Sequence, residues 1–166
     1  TLDAFGWNLL QAEQAQLAGM INKADLVSSL TSIFPSTTVA ALSSLWTGVA
    51  PAQHGMMGLT MFFPEYATSA QMLSFSPTFG RFPNALIEAG LKPETFLHWP
   101  GVAQQLAHSG VPTYSFKGQE IVDSALSKMH GRGLAADVGA ISFADMMAQM
   151  GQLLDEKAGE PLFTFA

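Results

Sequence analysis

Short apolar runs alternate with helix-spaced segments along nearly the whole chain, and this alternation constrains the fold more than any other feature of the sequence. A chain that repeats strand, helix, strand must bring its strands side by side in the same direction, with the helices covering the faces. The sequence therefore predicts an α/β domain with a mostly parallel sheet flanked by helices. "TLDAFGW" reads as a buried strand ending at Gly6, and "WNLLQAEQAQLAGM" as a helix with Leu9, Leu10, Leu17 and Met20 on one broad face. "ADLVSSLTSIF" leans towards strand, and "STTVAALSSLW" reads as a hydroxyl-capped helix. "GLTMFF", "TFLHW", "VPTYSF" and the closing "PLFTFA" read as strands. "FPNALIEAGL", "GVAQQLAHSG", "IVDSALSKMH" and "ISFADMMAQMGQLLDEKAG" read as helices, whereas residues 64–80 and "GRGLAADVG" read as loops.

The helix "STTVAALSSLW" carries no charge, which marks it as interior, and the whole chain shares this bias. Only 12% of the 166 residues are charged, against about 25% in an average protein. Mean hydropathy is +0.24, yet no window of about 18 uninterrupted apolar residues offers a transmembrane span. The net charge of −6 and the lack of any Lys/Arg run argue against a nucleic-acid polymer as partner. With no cysteine, disulfides and thiolate metal sites are excluded. The nine methionines read as core filler.

Ligands of parallel α/β sheets bind beyond the carboxyl ends of the strands. Asp3 stands near one such end and Ser36-Thr37-Thr38 near another. Asp3 is either a cap or a metal ligand. The hydroxyl cluster is either a set of helix caps or holds a nucleophile. A helix N-terminus has unpaired N–H groups and a positive dipole end, which suit a phosphate or sulfate oxygen. A threonine there could attack phosphorus if a metal lowered its pKa. His54, in the "PAQHG" turn, either ligates a metal or pins its loop; the lone position favours the loop. His98, His108 and His130 have no ligand-like partners in sequence.

Taken together, "LDAFGW" and "FPSTTVAALSSLWTGVAPAQHGMMG" resemble the opening of the alkaline phosphatase superfamily, and more narrowly the type I phosphodiesterase / nucleotide pyrophosphatase family. The order matches: a strand with Asp, a helix, F-P-x-x-T, a helix ending in T-G, then P-x-x-H-G. The motif-bearing part covers residues 1–60, and "VAQQLAHSGVPTYSF" and "SALSKM" resemble the family's middle region more weakly. The resemblance implies an alkaline-phosphatase-like core, hydrolysis of small phosphate esters, and two divalent metal ions, usually zinc. It implies Thr38 as nucleophile and metal ligand, Asp3 as metal ligand, and Ser36 and Thr37 as non-catalytic neighbours.

Two departures qualify the resemblance. Leu59 stands where the nucleotide pyrophosphatase branch has a phosphate-holding Asn, which lowers the expectation of nucleotide specificity. The family's other metal ligands come from a second half of the domain, so residues 1–166 read as the N-terminal part of a single catalytic domain with the rest of the site missing. A sulfatase ranks low because "STTVA" lacks the C/S-x-P-x-R setting. The alternative to a hydrolase is a non-catalytic fragment or degenerate relative acting as a binding or packing module.

Overall fold

A computed structural model describes residues 6–80 and 82–166. The chain forms two compact units, Thr1–Ser32 and Ile33–Ala166. In the first unit the expected single helix is two short ones, α1 (Trp7–Ala12) and α2 (Ala18–Ile21), neither with a buried residue. Gly6 offers α1 no side-chain cap, and helices this short are marginal without a packed face. The expected strand at "ADLVSSLTSIF" is irregular backbone: Leu26 is 82% and Leu30 91% exposed. A strand needs a neighbour to bond its amides, and none of the described residues of this unit is in a strand. The predicted strand at "TLDAF" lies outside the described residues.

The second unit opens with α3 (Thr38–Thr47) and the single turn α4 (Pro51–His54). Strand β1 (Thr60–Phe63) then pairs antiparallel with β2 (Thr68–Gln71), which pairs with β3 (Ser76–Pro77). Thr60 faces Gln71 and Phe63 faces Thr68. The expected loop at 64–80 is therefore mostly a small meander, turned by a 3₁₀ turn at Pro64–Tyr66. Its Ser/Thr/Pro content looked loop-like, but Ala70 and Met72 anchor it in the core.

Three short helices follow: α5 (Ala85–Glu88), α6 (Pro93–Phe96) and α7 (Val102–His108). The strand expected at "TFLHW" is not formed: Thr95 and Phe96 end α6, whose helical φ is preset by Pro93 at its first position, and residues 97–99 are irregular. Next come β4 (Thr113–Gly118), α8 (Ala125–His130), β5 (Ala136–Ala140), α9 (Phe143–Glu156) and β6 (Phe163–Phe165). These strands form a parallel sheet in the order β5-β4-β6. The "GRGLAADVG" stretch, expected as a loop, is a turn followed by β5; its glycines end the turn and Ala136–Ala140 pairs along β4. The chain is thus α/β with a parallel sheet, but that sheet is small and the same unit holds a second, antiparallel one. Among the described residues no helix is long and apolar enough to cross a membrane.

The core of this unit gathers Val39, Met56, Phe63, Met72, Phe75, Leu86, Leu97 and Met129. Three of the nine methionines fill it as expected, while Met20, Met57 and Met147 are exposed. One close approach sets a local limit. Gly133 has φ +83°, and a Cβ there would lie 2.7 Å from the Gln104 backbone. Gly133→Ala is expected to cost about 1–3 kcal/mol, combining left-handed strain with overpacking against α7. A urea unfolding midpoint equal to that of the unsubstituted protein would contradict this.

Candidate active site

Helix α3 is the element that positions the hydroxyl cluster. Its sequence, TVAALSSLWT, has no charge, and Val39, Ala40, Ser43, Trp46 and Thr47 are buried. Thr37 is the N-cap: its extended backbone turns into the helix and its Oγ1 accepts from the Ala40 N–H at 3.4 Å. Thr38 is the first helical residue and is exposed. Among the described residues its hydroxyl has no hydrogen-bond partner, and neither its N–H nor that of Val39 has a backbone partner. Ser36, also exposed, stands outside the helix. The two readings of the cluster thus fall on different residues. Thr37 does the capping, and Thr38 presents a free hydroxyl at the positive end of a ten-residue helix.

Two histidines grip the middle of α3. Ser43 Oγ lies 3.0 Å from His130 Nε2, at the end of α8, and Ser44 Oγ lies 3.0 Å from His54 Nε2, at the end of α4. His54 Nδ1 accepts from the Met56 N–H at 3.0 Å. Nδ1 therefore carries no proton, and Nε2–H must donate to Ser44. With both ring nitrogens committed, His54 pins its loop to α3, the role that its lone position favoured. Pro51 starts the α4 turn, and Gly55 ends it at φ +80°, where a side chain would be strained. The P-x-x-H-G spacing is thereby explained: start, one turn, tether, stop. Trp46 stacks on His130 with centroids 6.4 Å apart and meets Phe165 of β6 at 4.7 Å, which seats the helix against the parallel sheet.

The sequence profile described as type I phosphodiesterase / nucleotide pyrophosphatase matches residues 1–116, well over half of the chain. The chain belongs to the type I phosphodiesterase / nucleotide pyrophosphatase family. No curated protein and no solved structure matches it. The family comprises hydrolases of the phosphodiesterase and pyrophosphatase kind, metal-dependent in general, and the uncharged helix carrying F-P-x-x-T lies inside the matched region.

The structure places Thr38 but not the other expected ligand of this phosphodiesterase-family chain, because Asp3 lies outside the described residues. Among the described residues no three His, Cys, Asp or Glu side chains come together. His54 has no ring nitrogen left for a metal, and the buried His130 points one nitrogen at Ser43. The described residues alone therefore do not fit a metal centre. Leu59 is about half exposed and has no polar group in its side chain.

His130 escaped the sequence reading, because its partners lie 84 to 87 residues away and no local spacing announces them. Burial, helped by the charges of Lys117, Arg132 and His54, pushes its pKa from 6.5 down to about 3. Burial also lowers that of His54. Between about pH 6.5 and 3 the unfolded chain binds a proton at His130 that the folded chain refuses. Stability is accordingly complete above the unfolded value and is lost as pH falls through that window. For this family member we expect the urea midpoint to drop steadily from pH 6.5 towards 4, with a shallower slope in His130→Gln. Identical slopes in the two proteins would exclude His130 as the cause.

Proposed function

We propose that this protein hydrolyses small phosphate esters, diesters in preference, with Thr38 as the nucleophile. The observation that carries the reading is the division of labour between Thr37 and Thr38: the cap is satisfied by one hydroxyl and the next is left exposed at the helix N-terminus. In this reading the phosphate docks at that terminus, where the Thr38 and Val39 N–H groups meet its oxygens. Thr38 Oγ attacks phosphorus and loses its proton to solvent. The bond from phosphorus to the leaving alkoxide breaks, and that oxygen takes up a proton. Water then attacks the phosphorus of this threonine phosphodiester, which retains the other ester group; the P–Oγ bond breaks, the Thr38 hydroxyl is restored, and a phosphomonoester leaves.

Two divalent metal ions, zinc by family resemblance, belong to the proposal, with Asp3 and Thr38 among their ligands and the remaining ligands supplied by a second half of the same domain. Their chemistry when bound is to acidify a hydroxyl and offset charge on phosphate oxygens. Leu59 supports small esters over nucleotides as substrates.

The test is a covalent trap. Protein mixed with a chromogenic diester is quenched in acid during turnover, digested, and mapped by mass spectrometry. The expected result is Thr38 carrying the phosphoryl group together with the ester group that the diester retains. The same adduct on Ser36 or Thr37, or steady turnover with none on the peptide, would reject Thr38 as nucleophile.

A further inference from the structure

Consecutive residues of α3 are held by histidines that come from opposite directions along the chain. Ser43 is tied to His130 and Ser44 to His54, each at 3.0 Å. Neighbours on a helix point about 100° apart, so the two bonds grip the helix at two azimuths. One bond alone would fix one azimuth and leave the other to the packing of Val39, Ala40 and Trp46. Together they fix both its rotation and its position along the axis. Thr47 Oγ1, bonded to the Ser43 carbonyl at 2.6 Å, tightens the same turn.

We infer that His54 and His130, through Ser44 and Ser43, are positioning residues that set the rotational register of α3 and thereby aim the Thr38 hydroxyl. The functional half of this inference rests on the reading of Thr38 given above; the mechanical half does not. Thr38 is five residues before Ser43, about 7.5 Å along the axis. A side-chain oxygen about 5–6 Å from the axis moves by about 1 Å when the helix turns by about 10°. A misplacement of that size can lower a rate by about 100-fold. The apolar contacts of Val39 and Ala40 hold the helix down without direction; a hydrogen bond between two fixed atoms adds a directional constraint.

His54 allows its two bonds to be separated by substitution. Gln places an amide N–H where Nε2–H stood, and so can still reach Ser44. Asn places its carbonyl oxygen where Nδ1 stood, keeping the Met56 N–H bond and losing Ser44. Two measurements on the full protein decide the matter. The first is hydrogen–deuterium exchange of peptides spanning 38–48, which needs no turnover. The second is kcat and KM on a chromogenic diester, with Thr38→Ala as the reference for loss of the nucleophile.

Ser44→Ala and His54→Asn are expected to speed exchange across α3 several-fold. Both should lower kcat by about 10- to 100-fold with little change in KM, whereas His54→Gln should stay near the unsubstituted protein in both readouts. Ser43→Ala, whose lost bond goes to His130 and not to His54, should repeat the Ser44→Ala effect. Unchanged exchange in Ser43→Ala and Ser44→Ala would overturn the inference, as would His54→Gln behaving no better than His54→Asn. Faster exchange with undiminished kcat, in a protein whose Thr38→Ala form is dead, would overturn the aiming role alone. Full activity in Thr38→Ala would sink the nucleophile reading and leave the exchange result to judge the tethers.

Discussion

Thr38→Ala is expected to reduce turnover of a chromogenic phosphodiester by about 1,000-fold or more, the scale on which enzymes lose rate when a covalent nucleophile is removed. The fold should survive, because Thr38 is exposed and its hydroxyl has no partner among the described residues. The adjacent substitution is the control. Thr37→Ala removes the capping oxygen that receives the Ala40 N–H and should cost about 0.5–2 kcal/mol of stability, with most of the activity retained. The two variants differ by one position along the chain and predict opposite patterns: one stable and inactive, the other weakened and active. Steady-state rates alongside urea midpoints read both. If Ser36→Ala abolished turnover while Thr38→Ala did not, the nucleophile would be Ser36.

The largest stability effect is expected at Phe75. Its side chain is fully buried, and its ring lies 5.5 Å from that of Phe96 and 6.2 Å from that of Phe63. Its backbone sits at φ +45°, an uncommon place for a bulky residue, so packing must hold it there. Phe75→Ala should cost about 3–5 kcal/mol, a large part of the about 5–15 kcal/mol that holds a typical domain folded. The midpoint of denaturant unfolding should fall with an unchanged m-value. A loss below about 1 kcal/mol would mean that the three rings do not form the centre of this core.

Much of the second unit was legible because its signals are local. The hydroxyl cap, the uncharged run and the closing glycine announced α3, and "VPTYSF" and "PLFTFA" gave β4 and β6. Two of the errors share one cause: they fall where a distant partner decides the conformation. Ala136–Ala140 looked like a glycine-rich loop and is a strand because β4 offers it an edge. "ADLVSSLTSIF" has strand-like residues and no strand beside it among the described residues of its unit, so it stays irregular. The site divides in the same way. F-P-x-x-T and P-x-x-H-G could be read as motifs, but which hydroxyl caps and which stands free depends on backbone geometry at a single residue. The grip of His130 on Ser43 bridges 87 positions and leaves no periodic trace.

Helix α3 is held without a single ion pair: its tethers join hydroxyls to imidazoles kept neutral by burial, and the rest is apolar contact. Dissolved ions screen charges but have little to act on here. The placement of Thr38 should therefore be indifferent to salt. In strong brine, any change in rate would reflect how the charged substrate and its counter-ions are drawn to the protein, with the aim of the attacking oxygen left as it was in dilute buffer.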